Sequence, residues 1–341
     1  MRIYCTLFDG RYAAQGMALI DSLNTHCGAC LIYILCMDAH AEILLTHLGA
    51  PNAVLIRLDE LETFDPQLAD VKPTRKPIEY YFTSKPSLVR YVLSMNTDCE
   101  RVVYLDADIF FFSSPAILDA EIASGSVAVI EHRFSSGNDY LLKYGRFNAG
   151  WLSVRNDDTG HRCVEWWRNR CLEWCHDYAE GDRYADQKYL GKFPELFNAT
   201  VVTHLGANLA PWNMGNYTFA RHDGKVLVDG QIVIFCHFHG LARLVGPFFE
   251  SGLAKFRQRL PAVARNALFT PYLEKYCETE RKVLRIRQEL SQNGTHVGAA
   301  SLKIKRGTVI KRFILILLSI LGSLRYKTII RTANCERRRY G

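Results

Sequence analysis

Two aspartates separated by one residue, Asp106 and Asp108, carry the clearest chemical signal in the sequence. They end an apolar, strand-like run, and side chains two positions apart in an extended segment project to the same side, so the two carboxylates can converge. Neighbouring carboxylates repel each other unless a cation lies between them, and Mn²⁺ or Mg²⁺, which prefer oxygen ligands, meet that need. A lone Asp-x-Asp is more often a turn, but open α/β sheets bind ligands at the C-terminal ends of strands, which favours a metal site.

A second strand-like run ends in His237, with Gly240 three residues and Arg243 six residues further along. A histidine at a strand end is more often structural. Together with the two aspartates, however, an imidazole forms a coherent ligand set, and a guanidinium close by can bind a diphosphate. We therefore predict that His237 joins Asp106 and Asp108 around one divalent cation.

Several other residues can carry chemistry but also have ordinary structural explanations. The acid and amide of Asp186 and Gln187 can line a sugar, or simply begin a helix whose dipole favours an acid. Asn148 precedes two small residues and could mark a close approach of strands. Arg90 on a helix could be solvated or paired. Trp212, in a loop rich in amides, could stack on an acceptor sugar or anchor that loop in the core.

The elements that must position these residues alternate along the first hundred positions. Short β-rich apolar runs at 3–8, 31–37 and 53–58 are separated by helical patterns at 13–24 and 40–48. This alternation predicts βαβ units and a mostly parallel sheet. Further predicted elements are a helix over 82–94, strands at 101–105, 126–130, 147–154, 201–204 and 232–237, and helices over 160–178 and 273–292.

The order of these motifs resembles a known family. The landmarks are a βα turn at residues 7–12, the YLDAD string that ends at Asp108, the Asn148-Ala-Gly segment, the Asp186-Gln187 pair, and His237-x-x-Gly-x-x-Arg243. Over residues 1–245 the sequence is similar to the nucleotide-sugar glycosyltransferases of the GT-A fold, in particular family 8 and its bacterial relatives. That family usually has His-x-x-Gly-x-x-Lys followed by Pro-Trp, so Arg243 and the residues after it depart from the pattern.

The resemblance implies a GT-A-like, Rossmann-like mixed sheet, mostly parallel and flanked by helices, with a helical extension at the C-terminal side. It also implies roles for individual residues. The positions that match the family's motifs are Asp106, Asp108 and His237 for Mn²⁺ (or Mg²⁺), Arg243 for the diphosphate, Asp9 and Tyr12 for the nucleobase, Arg90 for the donor, and Asn148, Asp186 and Gln187 for the sugar. Gln187 would lie nearest the reacting carbon, and Asp186 and Gln187 are the predicted catalytic residues.

The positive charge of the chain is concentrated at its C-terminal end. The 341 residues are 48% hydrophobic and 23% charged, which excludes a disordered or fibrous protein, and the net charge is +7. Residues 301–341 hold eleven Lys and Arg against one acid, so the remainder is slightly acidic, which argues against a nucleic-acid groove.

A charge-free run, Phe313–Leu324, lies within this basic segment. It is too short to span a bilayer, which takes roughly 20 apolar residues, and this favours an amphipathic segment lying on an anionic membrane surface. The alternative is a helix packed on the body of the protein or at a dimer contact.

The cysteines and the first residues indicate the cellular compartment. The eleven cysteines show no regular spacing, which indicates reduced thiols, and the opening residues show no signal-peptide pattern. We therefore predict a cytoplasmic protein that associates peripherally with the inner face of the cytoplasmic membrane.

These observations predict a GT-A-like domain over residues 1–265, a helical connector over 266–300 and a basic amphipathic tail over 301–341. The predicted function is metal-dependent transfer of a hexose from a nucleotide-diphosphate sugar to a glycan or glycolipid at the membrane surface, in polysaccharide biosynthesis. The resemblance implies retention of anomeric configuration. The alternatives are a sugar nucleotidyltransferase and a non-catalytic, membrane-associated sugar-binding or scaffold protein.

Overall fold

The structure, a computed structural model, describes residues 1–50, 52–292 and 327–332. Its strands are β1 (Arg2–Phe8), β2 (Cys30–Cys36), β3 (Ala53–Arg57), β4 (Arg101–Leu105), β5 (Ile109–Phe111), β6 (Val127–Glu131), β7 (Phe147–Arg155), β8 (Thr200–Val202), β9 (Phe219–His222), β10 (Lys225–Val228), β11 (Gln231–Ile232), β12 (Phe235–His237), β13 (Ala242–Val245), β14 (Phe248–Glu250) and β15 (Ile329–Arg331).

The helices are α1 (Ala13–His26), α2 (Ala39–Leu48), α3 (Leu58–Phe64), α4 (Pro66–Val71), α5 (Pro77–Met95), α6 (Asp119–Ile122), α7 (Asp158–Glu173), α8 (Phe193–Phe197), α9 (Ala262–Ala264) and α10 (Thr270–Gln292). A π-helical stretch, Arg265–Phe269, joins α9 to α10, and short 3₁₀ turns connect other elements.

Seven strands form the central sheet in the order β3-β2-β1-β4-β7-β6-β8. Strands β1 to β4 are parallel to one another, β7 runs antiparallel to both β4 and β6, and β8 is parallel to β6. Within this sheet only β7 therefore runs opposite to the other strands, and the strand order switches sides between β1 and β4. The α/β class, the mostly parallel sheet and the C-terminal helix that the sequence predicts are confirmed.

Helices cover both faces of this sheet, which explains why its inner strands are apolar almost throughout. Strand β2 reads CLIYILC and is buried along nearly its whole length. On one face, β1 and β2 pack against α5 and α7, and on the other they pack against α1 and α2. The residues that this burial removes from water supply the main driving force for the fold.

Helix α5 begins earlier than predicted. The string from Thr83 to Pro86 has the composition of a helix start, yet Pro86 lies inside a helix that begins at Pro77. The hydroxyls of Thr83 and Ser84 donate to the carbonyls of Glu79 and Tyr80, each at 2.7 Å, which satisfies carbonyls one turn earlier. Residues expected in the first turn of this helix therefore lie in its middle, facing the sheet.

The C-terminal half of the chain contributes further β structure outside the central sheet. Strand β12 pairs antiparallel with β5, and β9 to β11 form a meander. Helix α10 packs along α1, and Arg287 near its end donates to the carbonyl of Gly10 at 2.8 Å. The polar helix predicted over 273–292 is therefore present and lies against the N-terminal βα unit.

Part of the predicted basic tail belongs to the folded body. Residues 329–331 form β15 and pair with β14, and Thr328 donates to the Glu250 carboxylate at 2.8 Å. The rest of 301–341, including the apolar run behind the membrane prediction, lies outside the described residues, so that prediction and the domain boundaries stay predictions. Within the described ranges, no helix combines the length and the apolar character needed to cross a bilayer.

The cysteines of the described part are mostly free thiols. Nine are unbridged, and eight of these nine are buried. Burial is usual for free cysteine, which behaves as a small hydrophobic residue. Cys277 on α10 is disulfide-bonded, which differs from the expectation of fully reduced thiols.

Candidate active site

The Asp-x-Asp motif forms a tight turn between β4 and β5, at the C-terminal end of β4 and beside the point where the strand order switches between β1 and β4. The backbone N–H of Asp106 donates to the carbonyl of Gly150 on β7 at 2.8 Å, and Ile109 N–H donates back to the Asp106 carbonyl at 3.1 Å. The segment is therefore a turn rather than the extended chain we assumed. Both carboxylates nevertheless face the same region, because His237 contacts each of them.

The pairing of β12 with β5 brings His237 to this turn. His237 lies opposite Ile109 in the register, and its Nε2 is 3.0 Å from Asp108 Oδ1 and 3.9 Å from Asp106 Oδ2. The predicted meeting of two carboxylates and a distant imidazole is thus present in the structure.

A second imidazole belongs to the same cluster. Ligand atoms of Asp108, His237 and His239 all lie within 4.8 Å of one another. We did not predict His239 as a ligand, although it follows His237 at the same two-residue spacing that drew attention to the aspartates. Applying that spacing rule to both strand ends would have found it.

Electrostatics hold Asp108 and His237 as an ion pair. Burial by itself would raise the pKa of Asp108, but the charge and hydrogen bond of His237 lower it to about 2. Burial lowers the pKa of His237, and the charge of Asp108 outweighs this, so that its pKa is raised overall. A bound cation would replace the imidazole proton as the charge that compensates the carboxylates.

Gly150 is required at the centre of the cluster. A Cβ atom at this position would lie 2.6 Å from Cε1 of His237 and 2.8 Å from Asp106 Oδ2. Any side chain would therefore push the metal-ligating groups apart. The small residue that the sequence suggested for a close approach of strands serves to admit these two side chains.

Lys85 on α5 is the most deeply placed cation near the site, and sequence reasoning missed it. Its Nζ lies 3.0 Å from Asp106 Oδ1 and 3.4 Å from Asp186 Oδ2, and its side chain is 7% exposed. Burial would lower the pKa of Lys85, but the two carboxylates raise it, so the ammonium stays charged. The phenol of Tyr104 also donates to Asp106 Oδ1 at 2.9 Å, which leaves Oδ2 facing His237.

The predicted sugar-lining residues are grouped around this cluster. Gln187 Oε1 accepts from Asn148 Nδ2 and from the N–H of Ala149, both at 3.4 Å. Asn148 Oδ1 lies 3.2 Å from His237 Nδ1, so this side chain links the amide of Gln187 to the imidazole. Asp186 is buried, and burial, opposed by Lys85, raises its pKa to about 6.

The nucleobase residues predicted at the end of β1 have different environments. Asp9 is buried and accepts from Arg11 N–H at 2.9 Å and from the phenol of Tyr81 at 3.0 Å. Burial would raise the pKa of Asp9, but hydrogen bonds from the Arg11 guanidinium and the Tyr81 phenol outweigh it and lower the pKa. Tyr12 is 46% exposed. Burial and the charge of Asp108 raise the pKa of Tyr12.

The structure does not bring Arg90 into this group. Its Nε lies 3.2 Å from Glu165 Oε2, and its guanidinium stacks on Phe64. Arg90 follows Lys85 by five positions on α5, which is a rotation of about 140° around the helix, so the two point to different sides. Lys85 faces the carboxylates instead.

Arg243 and Trp212 also differ from their predicted positions. Arg243 pairs with Glu280 of α10 and stacks on Phe249, because β13 runs alongside that helix. Trp212 is buried, with its ring 5.2 Å from that of His237, so it anchors its loop beneath the imidazole instead of offering a face to an acceptor.

A different lysine, Lys255, lies beside the turn that follows His239. Lys255 Nζ would be 3.3 Å from a Cβ at Gly240, in the turn that follows the histidines, and its charge acts on His239. Within the described ranges we find no carboxylate paired with Lys255, in contrast to Arg243. It stands far from the motif in sequence, so no spacing pattern pointed to it.

Two proteins of Bacillus subtilis are similar to this chain in sequence. No family model matches the chain. It is 36% identical over 241 residues to the uncharacterized protein YfnD of Bacillus subtilis (strain 168), which covers 70% of this chain and 77% of YfnD. It is 35% identical over 246 residues to YfnF of the same organism, which covers 70% of this chain and 80% of YfnF.

Among solved structures, the chain is similar to the galactosyltransferase LgtC in complex with donor and acceptor sugar analogues. The TM-score is 0.50 at 18% identity, and the match covers 78% of this chain and all of that one. The GT-A fold implied by the resemblance of the sequence is therefore confirmed. The chain belongs to the family of YfnD and YfnF, and it folds like the galactosyltransferase LgtC.

Proposed function

We propose that the protein is a metal-dependent glycosyltransferase that moves a hexose from a nucleotide-diphosphate sugar to a saccharide acceptor. The observation that carries this proposal is the convergence of Asp106, Asp108 and His237 at the C-terminal end of β4, beside the topological switch point of the sheet between β1 and β4. Ligands of open α/β sheets bind at such points, and the fold of LgtC supports the same reaction class.

The residues present fit a divalent cation. Ligand atoms of Asp108, His237 and His239 lie within 4.8 Å of one another, and Asp106 Oδ2 lies 3.9 Å from Nε2 of His237. Mg²⁺ takes oxygen ligands almost exclusively, whereas Mn²⁺ accepts imidazole more readily, so we propose Mn²⁺ as the preferred ion. When bound, this ion supplies Lewis-acid stabilisation of the departing diphosphate, a role that otherwise needs a general acid.

The chain's own cations share the compensation of the diphosphate charge. Arg243 was predicted for this role, but it pairs with Glu280. We assign the role to Lys255, whose ammonium lies beside Gly240 in the turn after the histidines. Lys85 lies within ion-pair distance of both Asp106 and Asp186, so it acts as a positioning residue for the ligand set.

The sugar side of the site is built from Asn148, Asp186 and Gln187. Glycosyl transfer develops positive character on the anomeric carbon, and carboxylate or amide oxygens stabilise this charge. Gln187 has such an oxygen, oriented by Asn148 and Ala149 N–H. The resemblance supports retention of configuration, which proton NMR of freshly formed product tests through the anomer produced.

The proposal also assigns the residues that bind the donor base and the segment that brings the protein to its acceptor. The exposed ring of Tyr12 can stack on a nucleobase, and Asp9 holds the loop that presents it. The excess of Lys and Arg in 301–341 supports an acceptor, glycan or glycolipid, presented at the inner face of the cytoplasmic membrane. Sedimentation with vesicles of anionic and of neutral lipid tests that association.

The decisive experiment measures binding of nucleotide sugars with and without Mn²⁺. A thermal-shift panel identifies a donor through ligand-linked stabilisation, and hydrolysis of that donor is then followed. Asp108→Asn is expected to abolish Mn²⁺-dependent stabilisation while leaving the protein folded, and the exposed Asp119→Asn serves as the matched control.

Other outcomes separate the alternatives. Release of pyrophosphate from a nucleoside triphosphate and a sugar phosphate would indicate a nucleotidyltransferase. Binding of metal and nucleotide sugar without any turnover would indicate a non-catalytic binding protein. Undiminished Mn²⁺ binding by Asp108→Asn would contradict the ligand assignment itself.

A further inference from the structure

Two segments that adjoin Gln187, one through a hydrogen bond and one along the chain, carry exposed tyrosine side chains. One is the 3₁₀ turn Asp139–Tyr144, and the other is the loop 174–184 that follows α7. Tyr140 is 58% exposed and Tyr178 is 49% exposed. The helix predicted over 160–178 includes Tyr178, but α7 ends at Glu173, and the Tyr178 ring is half-exposed.

The first of these segments is connected directly to the proposed catalytic amide through the backbone of Tyr144. Gln187 Nε2 donates to the carbonyl of Tyr144 at 3.0 Å, and the Tyr144 and Tyr184 rings lie 4.7 Å apart with a 54° angle between them. We call Tyr140, Tyr144, Tyr178 and Tyr184 the aromatic rim. The rim therefore begins one hydrogen bond away from the residue that we propose lies nearest the reacting carbon.

The buried structure below fixes the orientation of the rim. The ring of Tyr178 stacks on His176 with centroids 5.5 Å apart, and His176 Nδ1 lies 3.3 Å from the buried Glu79. The phenol of Tyr184 donates to Asp177 at 3.3 Å. Because these rings are held before any ligand arrives, binding on them costs little side-chain entropy.

We propose that the aromatic rim is the binding platform for the acceptor saccharide, an inference that rests on the proposed function. A pyranose ring has apolar faces that stack on tyrosine and hydroxyls that need hydrogen-bonding partners. The rim offers both, because charged groups alternate with its rings: Lys143 Nζ lies 4.8 Å from the centre of the Tyr144 ring, and Asp177 lies beside Tyr184.

The composition of the rim and its position favour a sugar over a protein or lipid partner. A purely apolar partner would leave Lys143 and Asp177 desolvated without compensation, which is costly. The rim also adjoins Gln187 directly, so a saccharide lying on it has its hydroxyls next to the proposed site of transfer.

The test separates acceptor binding from donor chemistry. With a donor that the wild-type protein hydrolyses, transfer to fluorescently labelled mono- and disaccharides is measured beside hydrolysis. Tyr178→Ala and Tyr140→Ala are expected to lower the ratio of transfer to hydrolysis about tenfold, since base or sugar stacking on one aromatic ring contributes on this scale. Phe248→Ala, an exposed aromatic on β14, is the matched control and is expected to leave the ratio unchanged.

Saturation-transfer NMR with the same saccharides and no donor gives a second readout that does not need turnover. Saccharide signals that are present with the wild-type protein and disappear with Tyr178→Ala would support the platform, even if no donor is found. Failure to find any donor would instead refute the proposed function. An unchanged ratio and unchanged NMR signals in both tyrosine variants would overturn the inference. So would the absence of binding and transfer for every saccharide in a protein that hydrolyses its donor.

Discussion

Replacing Lys85 by methionine tests the electrostatic core of the site through protein stability, independently of any substrate. The methionine keeps most of the volume of the side chain but removes the ammonium that lies between Asp106 and Asp186. Asp186 would then be a buried carboxylate without a cation. Breaking a buried ion pair by removing one partner costs about 3–5 kcal/mol, so we expect a loss of that size in the free energy of unfolding near pH 8.

The loss in free energy of unfolding must depend on pH, and the direction of this dependence follows from the pKa of Asp186. Its pKa is raised from 3.8 to about 6, so between these values the native state holds a proton that the unfolded chain has released. Stability therefore falls as pH rises through this window, by roughly 3 kcal/mol. Without Lys85 the pKa of Asp186 rises further, so the penalty continues to grow above pH 6. The contribution of Lys85 itself, whose pKa is raised, is lost only at strongly alkaline pH.

The assay is urea unfolding of four proteins at pH 5 and pH 8: wild type, Lys85→Met, Asp186→Asn and the double variant. We expect Lys85→Met to lose about 1–2 kcal/mol at pH 5, where Asp186 is largely protonated, and the full amount at pH 8. The double variant should recover about 2 kcal/mol relative to Lys85→Met at pH 8. Lys72→Met, which breaks an exposed pair with Glu62, should cost below about 1 kcal/mol.

Two results would refute this reasoning. An equal loss at both pH values would mean that Lys85 acts through packing and not through charge. A double variant as unstable as Lys85→Met would mean that Asp186 is not the group left uncompensated.

Three further predictions concern binding. His239→Ala should weaken Mn²⁺ binding about tenfold or more in calorimetry and change Mg²⁺ binding little, because an imidazole is a ligand for Mn²⁺ and not for Mg²⁺. Equal losses of affinity for both ions would contradict the ligand role of His239. Lys255→Ala should weaken binding of nucleoside diphosphates about tenfold, with nucleoside monophosphates less affected, and Arg243→Ala should not reproduce this pattern. Arg90→Ala should leave donor affinity within about twofold of wild type, since its partner is Glu165; a large loss would restore Arg90 to the site.

The sequence indicated the sheet and the centre of the site because both depend on local patterns. Strands such as β2 are buried on both faces and are therefore continuous apolar runs. The Asp-x-Asp motif follows directly after β4, and His237 ends β12, so knowing where ligands bind in such sheets sufficed to bring them together.

The cations could not be predicted because their positions depend on packing between distant parts of the chain. Lys85 reaches the carboxylates only because α5 begins at Pro77 and continues through Pro86. Arg243 meets Glu280 because α10 returns across β13, a contact between residues 37 positions apart. No periodic pattern within one element reports either arrangement.

The pairing of β15 with β14 limits how the polypeptide can be shortened for laboratory work. A version that stops before residue 327 would leave β14 as a bare edge and remove the hydroxyl of Thr328 from Glu250. Unpaired edges recruit strands from other molecules, so we expect such a version to self-associate at the concentrations used for crystals. Retaining residues 327–332 is therefore advisable even when the apolar stretch before them is the part an experimenter wishes to discard.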